Sequence, residues 1–289
     1  MATILITGTS SGIGLATALE LGRAGHTVFA TMRNPARAPE LAAQAASEDL
    51  PITILTMDVD NDQSVASCFA AVYRQATHLD VLVNNAGIEH HGSIEELPLE
   101  AFRATMETNY FGAIRCIQQV AGRMRERGSG CIVNITSVAG KISSSPLGAY
   151  AASKFALEGL SEALAQEMKP FGVRVAIVQP GIIDTPMARS IGDSTPSLYR
   201  QGKHLAALFE AALQRPQPPS VVAAVVRTIV EGDTGKLRHP AGADAAPFLA
   251  WRAGMTDEDW ITFNSLDTEA FRESVKNTFG MEMKLDATD

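Results

Sequence analysis

The sequence predicts an α/β fold: a parallel sheet covered by helices on both faces. Three observations carry that prediction. Short β-rich runs alternate with longer helical patterns. The runs are apolar throughout, as in VFAT and VAIVQ, which suits strands buried on both sides. The first run also leads straight into a glycine-rich turn that opens onto a helix.

The expected strands are Thr3–Thr7, Thr27–Met32, Ile52–Thr56, Asp80–Val83, Cys131–Thr136 and Arg174–Gln179, with a short seventh candidate at Lys236–His239. Gly12–Ala24, Asn61–Ala76, Leu99–Arg127, Gly148–Lys169 and Val221–Glu231 read as helices. The composition changes after Pro186, where Gly, Ser, Pro and the run QRPQPPS appear. Residues 186–220 are therefore expected to form a lid over the carboxyl ends of the strands, where open α/β sheets bind ligands. Within it, Met187, Leu198, Leu205, Leu208 and Phe209 are candidates for the wall of an apolar pocket. Residues 240–289, which hold both Trp251 and Trp260, read as a partly helical extension packed on the same domain.

The chain has 289 residues, 46% hydrophobic and 19% charged, enough for a substantial core. Its net charge of −8 argues against a broad nucleic-acid interface. Cys68, Cys116 and Cys131 are far apart and show no metal-ligand spacing, so they read as buried thiols in a reducing compartment. No metal site is signalled. No uncharged stretch approaches the roughly 20 residues of a membrane span. The chain enters a strand by Thr3, so a cytoplasmic location without a signal peptide is expected.

Gly8, Gly12 and Gly14 lie between the first strand and the first helix. Glycines there permit a positive φ and let the backbone approach a ligand closely. The helix start presents N–H groups and positive dipole to a pyrophosphate. The spacing is G-x-x-x-G-x-G rather than the common G-x-G-x-x-G.

Tyr150 and Lys154 stand four residues apart, thirteen after Ser137. That spacing puts phenol and ammonium on one helix face. An unperturbed phenol titrates near about 10, and a neighbouring positive charge lowers that value. The pair is thereby suited to general acid/base work.

With TGTSSGIG (Thr7–Gly14), NNAG (Asn84–Gly87), Asn109, Ser137, YAASK (Tyr150–Lys154) and PGIIDT (Pro180–Thr185) in order, the chain resembles the short-chain dehydrogenase/reductase family over about its first 240 residues. The resemblance implies one Rossmann-like domain, residues 1–289, with a seven-stranded doubly wound parallel sheet and a nicotinamide dinucleotide. It implies a carbonyl–alcohol oxidoreductase in which Tyr150 is the acid/base, Lys154 tunes it and holds the nicotinamide ribose, and Ser137 holds the substrate oxygen. Asn109 would order a water leading from Lys154 to solvent. Gly8, Ser11, Gly12, Ile13 and Gly14 would cradle the phosphates. Asp58 and Val59 would meet the adenine, and Asn85, Ala86 and Gly87 would line the ribose side. Asn84 would tie neighbouring strands together. Pro180, Gly181, Ile183 and Thr185 would close over the nicotinamide carboxamide.

Donors at Ser137 and Tyr150 would face the charge developing on oxygen, which is often worth about 10² to 10³ in rate per donor. His90 and His91 read as exposed loop residues without a role. A non-catalytic dinucleotide sensor would lack the tyrosine or lysine, and the extended epimerase branch shows a TGxxGxxG loop absent here. The segments ATMRNP (Ala30–Pro35) and RHPAGADA (Arg238–Ala245) resemble the 17β-hydroxysteroid and retinol dehydrogenase branch, which implies a hydrophobic substrate. A 3-oxoacyl thioester reductase is the alternative within the family.

NAD-preferring sites place Asp or Glu about 20 residues beyond the glycine loop. Here Met32 holds that position, Arg33 follows, and no acid comes before Glu40. NADP(H) is therefore expected over NAD(H), although Ser11 stands where many NADP-preferring relatives carry a basic residue. Apolar residues on two helices (Phe111, Ile114 and Ile117; Leu157, Leu160, Leu164 and Met168) predict a homodimer or homotetramer through that pair.

Overall fold

The structure is a computed structural model that describes residues 1–191, 197–232 and 235–285. The chain begins with β1 (Thr3–Thr7), α1 (Gly12–Arg23), β2 (Thr27–Met32), α2 (Glu40–Ser47), β3 (Ile52–Thr56), α3 (Asp62–Gln75) and β4 (Val81–Asn84). It continues with α4 (Leu99–Met106), α5 (Gly112–Arg127), β5 (Gly130–Ile135), α6 (Gly148–Met168) and β6 (Val173–Pro180). After these come α7 (Pro186–Ser190), α8 (Gln201–Leu213), α9 (Ser220–Glu231), β7 (Arg238–Ala241), α10 (Ala245–Ala253), α11 (Asp257–Asn264) and α12 (Thr268–Phe279).

All seven strands are parallel, in the order β3-β2-β1-β4-β5-β6-β7. Alternation along the strands divides the core in two. Ile4, Ile6, Val28, Ala30, Val81 and Val83 pack under α1 and α9, against Leu21, Val222 and Val226. Leu5, Phe29, Leu82 and Ile132 face the other way, onto Phe69 of α3, Val120 of α5 and Leu164 of α6. Both faces are covered, so burying each large aliphatic side chain contributes roughly 1.5–3 kcal/mol. That is why these strands carry no polar alternation. The result is a single doubly wound, Rossmann-like domain.

Three details differ from the sequence expectation. The helix expected over Leu99–Arg127 is divided by a π turn at Glu107–Phe111, centred on Asn109. The last strand is Arg238–Ala241 rather than Lys236–His239, because pairing with β6 sets Gln179 against Pro240. Pro240 lacks an N–H, and it is tolerated because β7 is the edge of the sheet. The region after Pro186 contains α8, which packs on α12 through Ala207, Phe271 and Val275. This satellite core lies outside the two that flank the sheet. Cys68, Cys116 and Cys131 are buried, and none of them is in a disulfide among the described residues. Among the described residues no helix is long and apolar enough to cross a membrane.

Candidate active site

The carboxyl ends of β1, β4, β5 and β6 open on a cavity of about 390 Å³. It lies where the strand order reverses between β1 and β4, the usual ligand position in such sheets. Gly8, Ser11, Gly12, Ile13, Gly14, Arg33, Asp58, Val59, Asn85, Ala86, Gly87, Pro180, Gly181, Ile183 and Thr185 all line it, together with Ser137, Tyr150 and Lys154. Asn109 alone of the expected site residues does not line it; it is buried behind.

The glycine turn is shaped by close approach. Gly8 has φ +71°, and a Cβ there would stand 2.7 Å from Ala86 Cα. A Cβ on Gly14 would lie 2.2 Å from Gly8 O and 2.5 Å from Asn85 Nδ2. α1 starts with no side-chain cap and no acid in its first turn. Its leading amides and dipole are therefore left to an anion. Asn85 Nδ2 donates to Thr7 O at 2.9 Å and Gly8 O at 3.0 Å, so this side chain fixes the turn as well as lining the cavity. Asn84 Nδ2 donates to Asn134 Oδ1 at 2.8 Å, tying β4 to β5 as expected.

At the outer end of this half, Thr108 Oγ1 donates to Asp60 Oδ2 at 2.9 Å. Burial holds the Asp60 carboxyl above its ordinary range; the Thr108 bond opposes this, nearby Asp58 adds to it and Arg33 opposes it. The side chain of Arg33 is exposed at the mouth.

Ser137 follows β5, and its Oγ accepts from Ala139 N at 3.1 Å, capping a short turn. Its hydroxyl is 3.5 Å from Pro180 O, too long to hold the proton firmly. Tyr150 and Lys154 share one face of α6, with Lys154 Nζ 5.5 Å from the ring centroid and donating to Ile135 O at 3.0 Å.

Electrostatics here depart from the sequence expectation that Lys154 lowers the phenol. Burial pushes Tyr150 up to about 12, the Ser137 hydroxyl works against this, and the charge of Glu89 adds to it. Burial likewise pushes Lys154 down to about 8. The Asn109 side chain is held within the fold. Oδ1 accepts from Ile88 N at 2.8 Å, and Nδ2 donates to Ile88 O and Ser153 Oγ, both at 2.9 Å. It clamps the segment after β4 to the π turn and to α6.

Sequence reasoning missed two supports. Glu158, one helical turn beyond Lys154 and 2% exposed, accepts from Thr136 Oγ1, Gln179 Nε2 and Arg238 Nε at 2.9, 3.0 and 2.8 Å. It fastens α6 to the ends of β5, β6 and β7. A lone acid on the buried face of that helix was the available signal. Asp244 accepts from Ile182 N at 2.8 Å and Gln217 Nε2 at 2.9 Å, which holds the Pro180–Thr185 loop.

The opposite wall is aromatic and aliphatic. Met187, Leu205, Leu208 and Phe209 line the cavity as anticipated, joined by Phe248, Trp251, Trp260 and Phe263. Leu198 does not: it is 87% exposed. Trp260 Nε1 donates to Ser143 O at 2.8 Å, anchoring the extension to the loop before α6. The two loop histidines are half-buried rather than exposed, with His90 Nδ1 3.0 Å from Thr105 Oγ1 and His91 Nδ1 3.1 Å from Glu89 Oε2.

Comparison with known proteins agrees with this geometry. The family model for short chain dehydrogenase matches residues 2–196. Human retinol dehydrogenase 8 is 39% identical over 246 residues, covering 78% of this chain and 77% of that protein. The crystal structure of a short-chain dehydrogenase from Streptomyces avermitilis superposes with a TM-score of 0.77 at 32% identity, covering 96% of this chain and 99% of the other. That of a variant actinorhodin polyketide ketoreductase with NADPH gives 0.74 at 31% identity, covering 84% and 97%. On the family match and the sheet, the chain belongs to the short-chain dehydrogenase family of oxidoreductases.

Proposed function

We propose that this protein is an NADP(H)-dependent oxidoreductase that interconverts a carbonyl and an alcohol on a hydrophobic small molecule. One observation carries the reading. A phenol, a hydroxyl and an ammonium meet at the seam between a glycine-walled half of the cavity and an apolar half. The glycine half fits a dinucleotide, because a Cβ at Gly8 or Gly14 would collide with the chain itself and the start of α1 is free for a pyrophosphate. Gly8, Ser11, Gly12, Ile13 and Gly14 would hold the phosphates, and Asp58, Val59, Asn85, Ala86 and Gly87 the adenosine side. Pro180, Gly181, Ile183 and Thr185 would hold the nicotinamide end. When bound, the dinucleotide supplies or accepts the hydride.

The rest of the chemistry belongs to the chain. Tyr150, protonated at neutral pH by virtue of its burial, gives its proton to the oxygen of a carbonyl undergoing reduction. The Ser137 hydroxyl orients that oxygen. Lys154, which titrates at about 8, carries positive charge beside the phenol at neutral pH and favours its conversion to phenolate. Asn109 keeps the strand end and α6 in register. Arg33, with no acid nearby on β2, supports NADP(H) over NAD(H) by pairing with the 2′-phosphate. Residues 186–191 and 197–220 act as a lid, and residues 240–285 complete the substrate wall; positions 192–196 and 286–289 of the two expected segments lie outside the described residues. Three buried cysteines outside any disulfide suit a reducing, cytoplasmic setting.

Assembly is part of the same reading. Ile117, Leu157, Leu164 and Met168 are buried within the chain, whereas Phe111 and Phe155 remain 45% and 44% exposed. A homodimer or homotetramer would cover those rings, and light scattering at micromolar concentration tests it. The activity is tested by following NADPH absorbance against steroid, retinoid, acyl-thioester and aromatic carbonyl panels. Consumption of NADPH by apolar carbonyls supports the reading, and inertness toward every panel counts against it.

A further inference from the structure

Glu89 leaves the carboxyl end of β4 and lines the cavity, yet its side chain is only 4% exposed. Oε2 is 3.1 Å from His91 Nδ1. Oε1 is buried and has no hydrogen-bond partner among the described residues. Leaving a buried acceptor unsatisfied costs about 1–3 kcal/mol, more when the group is charged. Two other carboxylates around the site are spent on the fold, buried Glu158 on three donors and half-buried Asp244 on two. Asp60 also keeps an open oxygen, but beside Asp58 and Arg33 at the far, adenosine end. Glu89 instead sits at the reacting end, where its charge acts on Tyr150.

We propose that Glu89 selects the substrate: its open oxygen accepts a hydrogen bond from a hydroxyl or ammonium group adjacent to the reacting carbonyl of an otherwise apolar molecule. A carboxylate can only accept, so the complementary group must be a donor. Leu205, Phe209 and Trp251 of the same cavity offer an apolar body its packing surface. His91 holds Oε2 and so fixes which oxygen is presented. The inference rests on the carbonyl–alcohol reading for what happens at Tyr150, and adds what the pocket prefers.

The test uses a long-chain methyl ketone, its α-hydroxy analogue and its α-amino analogue with NADPH. Wild type should favour at least one donor-bearing ketone over the plain one by about tenfold or more in kcat/KM. The better of the two identifies the donor. In Glu89→Ala the ratio should fall to near one, and Glu89→Met, similar in length and without an oxygen acceptor, serves if the smaller variant fails to fold. Binding is read separately, without cofactor, from fluorescence of Trp251 and Trp260 on titration with the corresponding diol, amino alcohol and simple alcohol. The same preference should appear and vanish with Glu89. Equal affinities in the wild type, or a preference that survives both substitutions, overturns the proposal. If the binding preference holds while no carbonyl is turned over, the carbonyl–alcohol reading fails and this one stands.

Discussion

The half of the cleft over β1 and β4 is made largely of main chain, whereas the half under α8 and the C-terminal helices is made of side chains. In the first, Gly8 and Gly14 leave no room for a methyl group, and Thr7 and Asn85 hold the turn through backbone atoms. In the second, Trp251 meets Trp260, Phe263 and Phe279 edge-on with centroids 4.9–5.3 Å apart. Backbone recognition requires particular residues at particular spacings. A wall of packed rings requires volume and apolarity, which many sequences supply. One half is therefore set for a common ligand, while the other is free to change substrate.

Substitutions can break or sharpen that contrast. The largest effect is expected at the seam. Tyr150→Phe keeps the ring but removes the proton donor, so kcat should fall by about 10² to 10⁴ while the NADPH dissociation constant stays within a few-fold. Near wild-type turnover on a true substrate would refute the mechanism.

Lys154 comes next, through pH. Its ordinary value is 10.5 and burial lowers it to about 8 in the folded chain. The unfolded chain thus holds this proton more tightly, and below pH 8 the fold carries a buried charge at a cost of roughly 3 kcal/mol. That cost fades as pH rises from 8 to 10.5. Thermal melts of the cofactor-free protein should show wild type gaining on Lys154→Met across that window. A flat or opposite trend would show that burial does not govern this lysine. Tyr150, raised from 10 to about 12, acts with the other sign above pH 10, where the fold loses stability by keeping the phenol protonated.

In the main-chain half, Gly14→Ala forces a methyl group onto Gly8 O. The expected cost is about 1–3 kcal/mol of stability, with NADPH binding weakened alongside; calorimetry and titration would detect both. Arg33 is the side-chain exception in that half. Arg33→Asp should weaken NADPH by about 10- to 100-fold and NADH far less, and tighter NADH binding by wild type would reverse the assignment. The smallest effect belongs to the other half. A Cβ at Gly202 in α8 meets nothing within 4 Å, so Gly202→Ala should stabilise by up to about 1 kcal/mol without altering NADPH affinity. Destabilisation would mean that α8 is under tighter constraint than its surroundings show.

The same contrast explains what could be read in advance. Strands buried on both faces carry a largely apolar run, so β1 and β2 were legible to the residue, and half-exposed β3 was legible from its β-branched run ITILT. The edge strand was misplaced because Lys236–His239 and Arg238–Ala241 look alike until Gln179 and Pro240 are set in register. Ser137, Tyr150 and Lys154 had fixed offsets. Glu89 had none, since one acid after a turn has no spacing to betray it and its meaning comes from burial. The surroundings of Tyr150 were likewise hidden. Its neighbour Lys154 was visible in sequence, but the burial that outweighs that charge is a property of the packed cavity. Leu198 looked like a wall residue by type, whereas the chain path leaves it in solvent.

The π turn at Glu107–Phe111 works as a splice in the longest helical stretch before β5. One extra residue rotates everything after it by about 100° relative to a regular helix. Asn109 thereby faces Ile88 while Gly112, the first residue of α5, presses against Val59, where a Cβ would stand 2.8 Å from Cγ2. Deleting a single residue from this turn would restore regular α-helical hydrogen bonding yet swing Val120 of α5 off its seat beside Phe69. Exposed Phe111, by contrast, can be exchanged one-for-one with little loss. The segment should therefore tolerate changes of identity and reject changes of length, a pattern that a deletion scan scored by soluble expression would reveal.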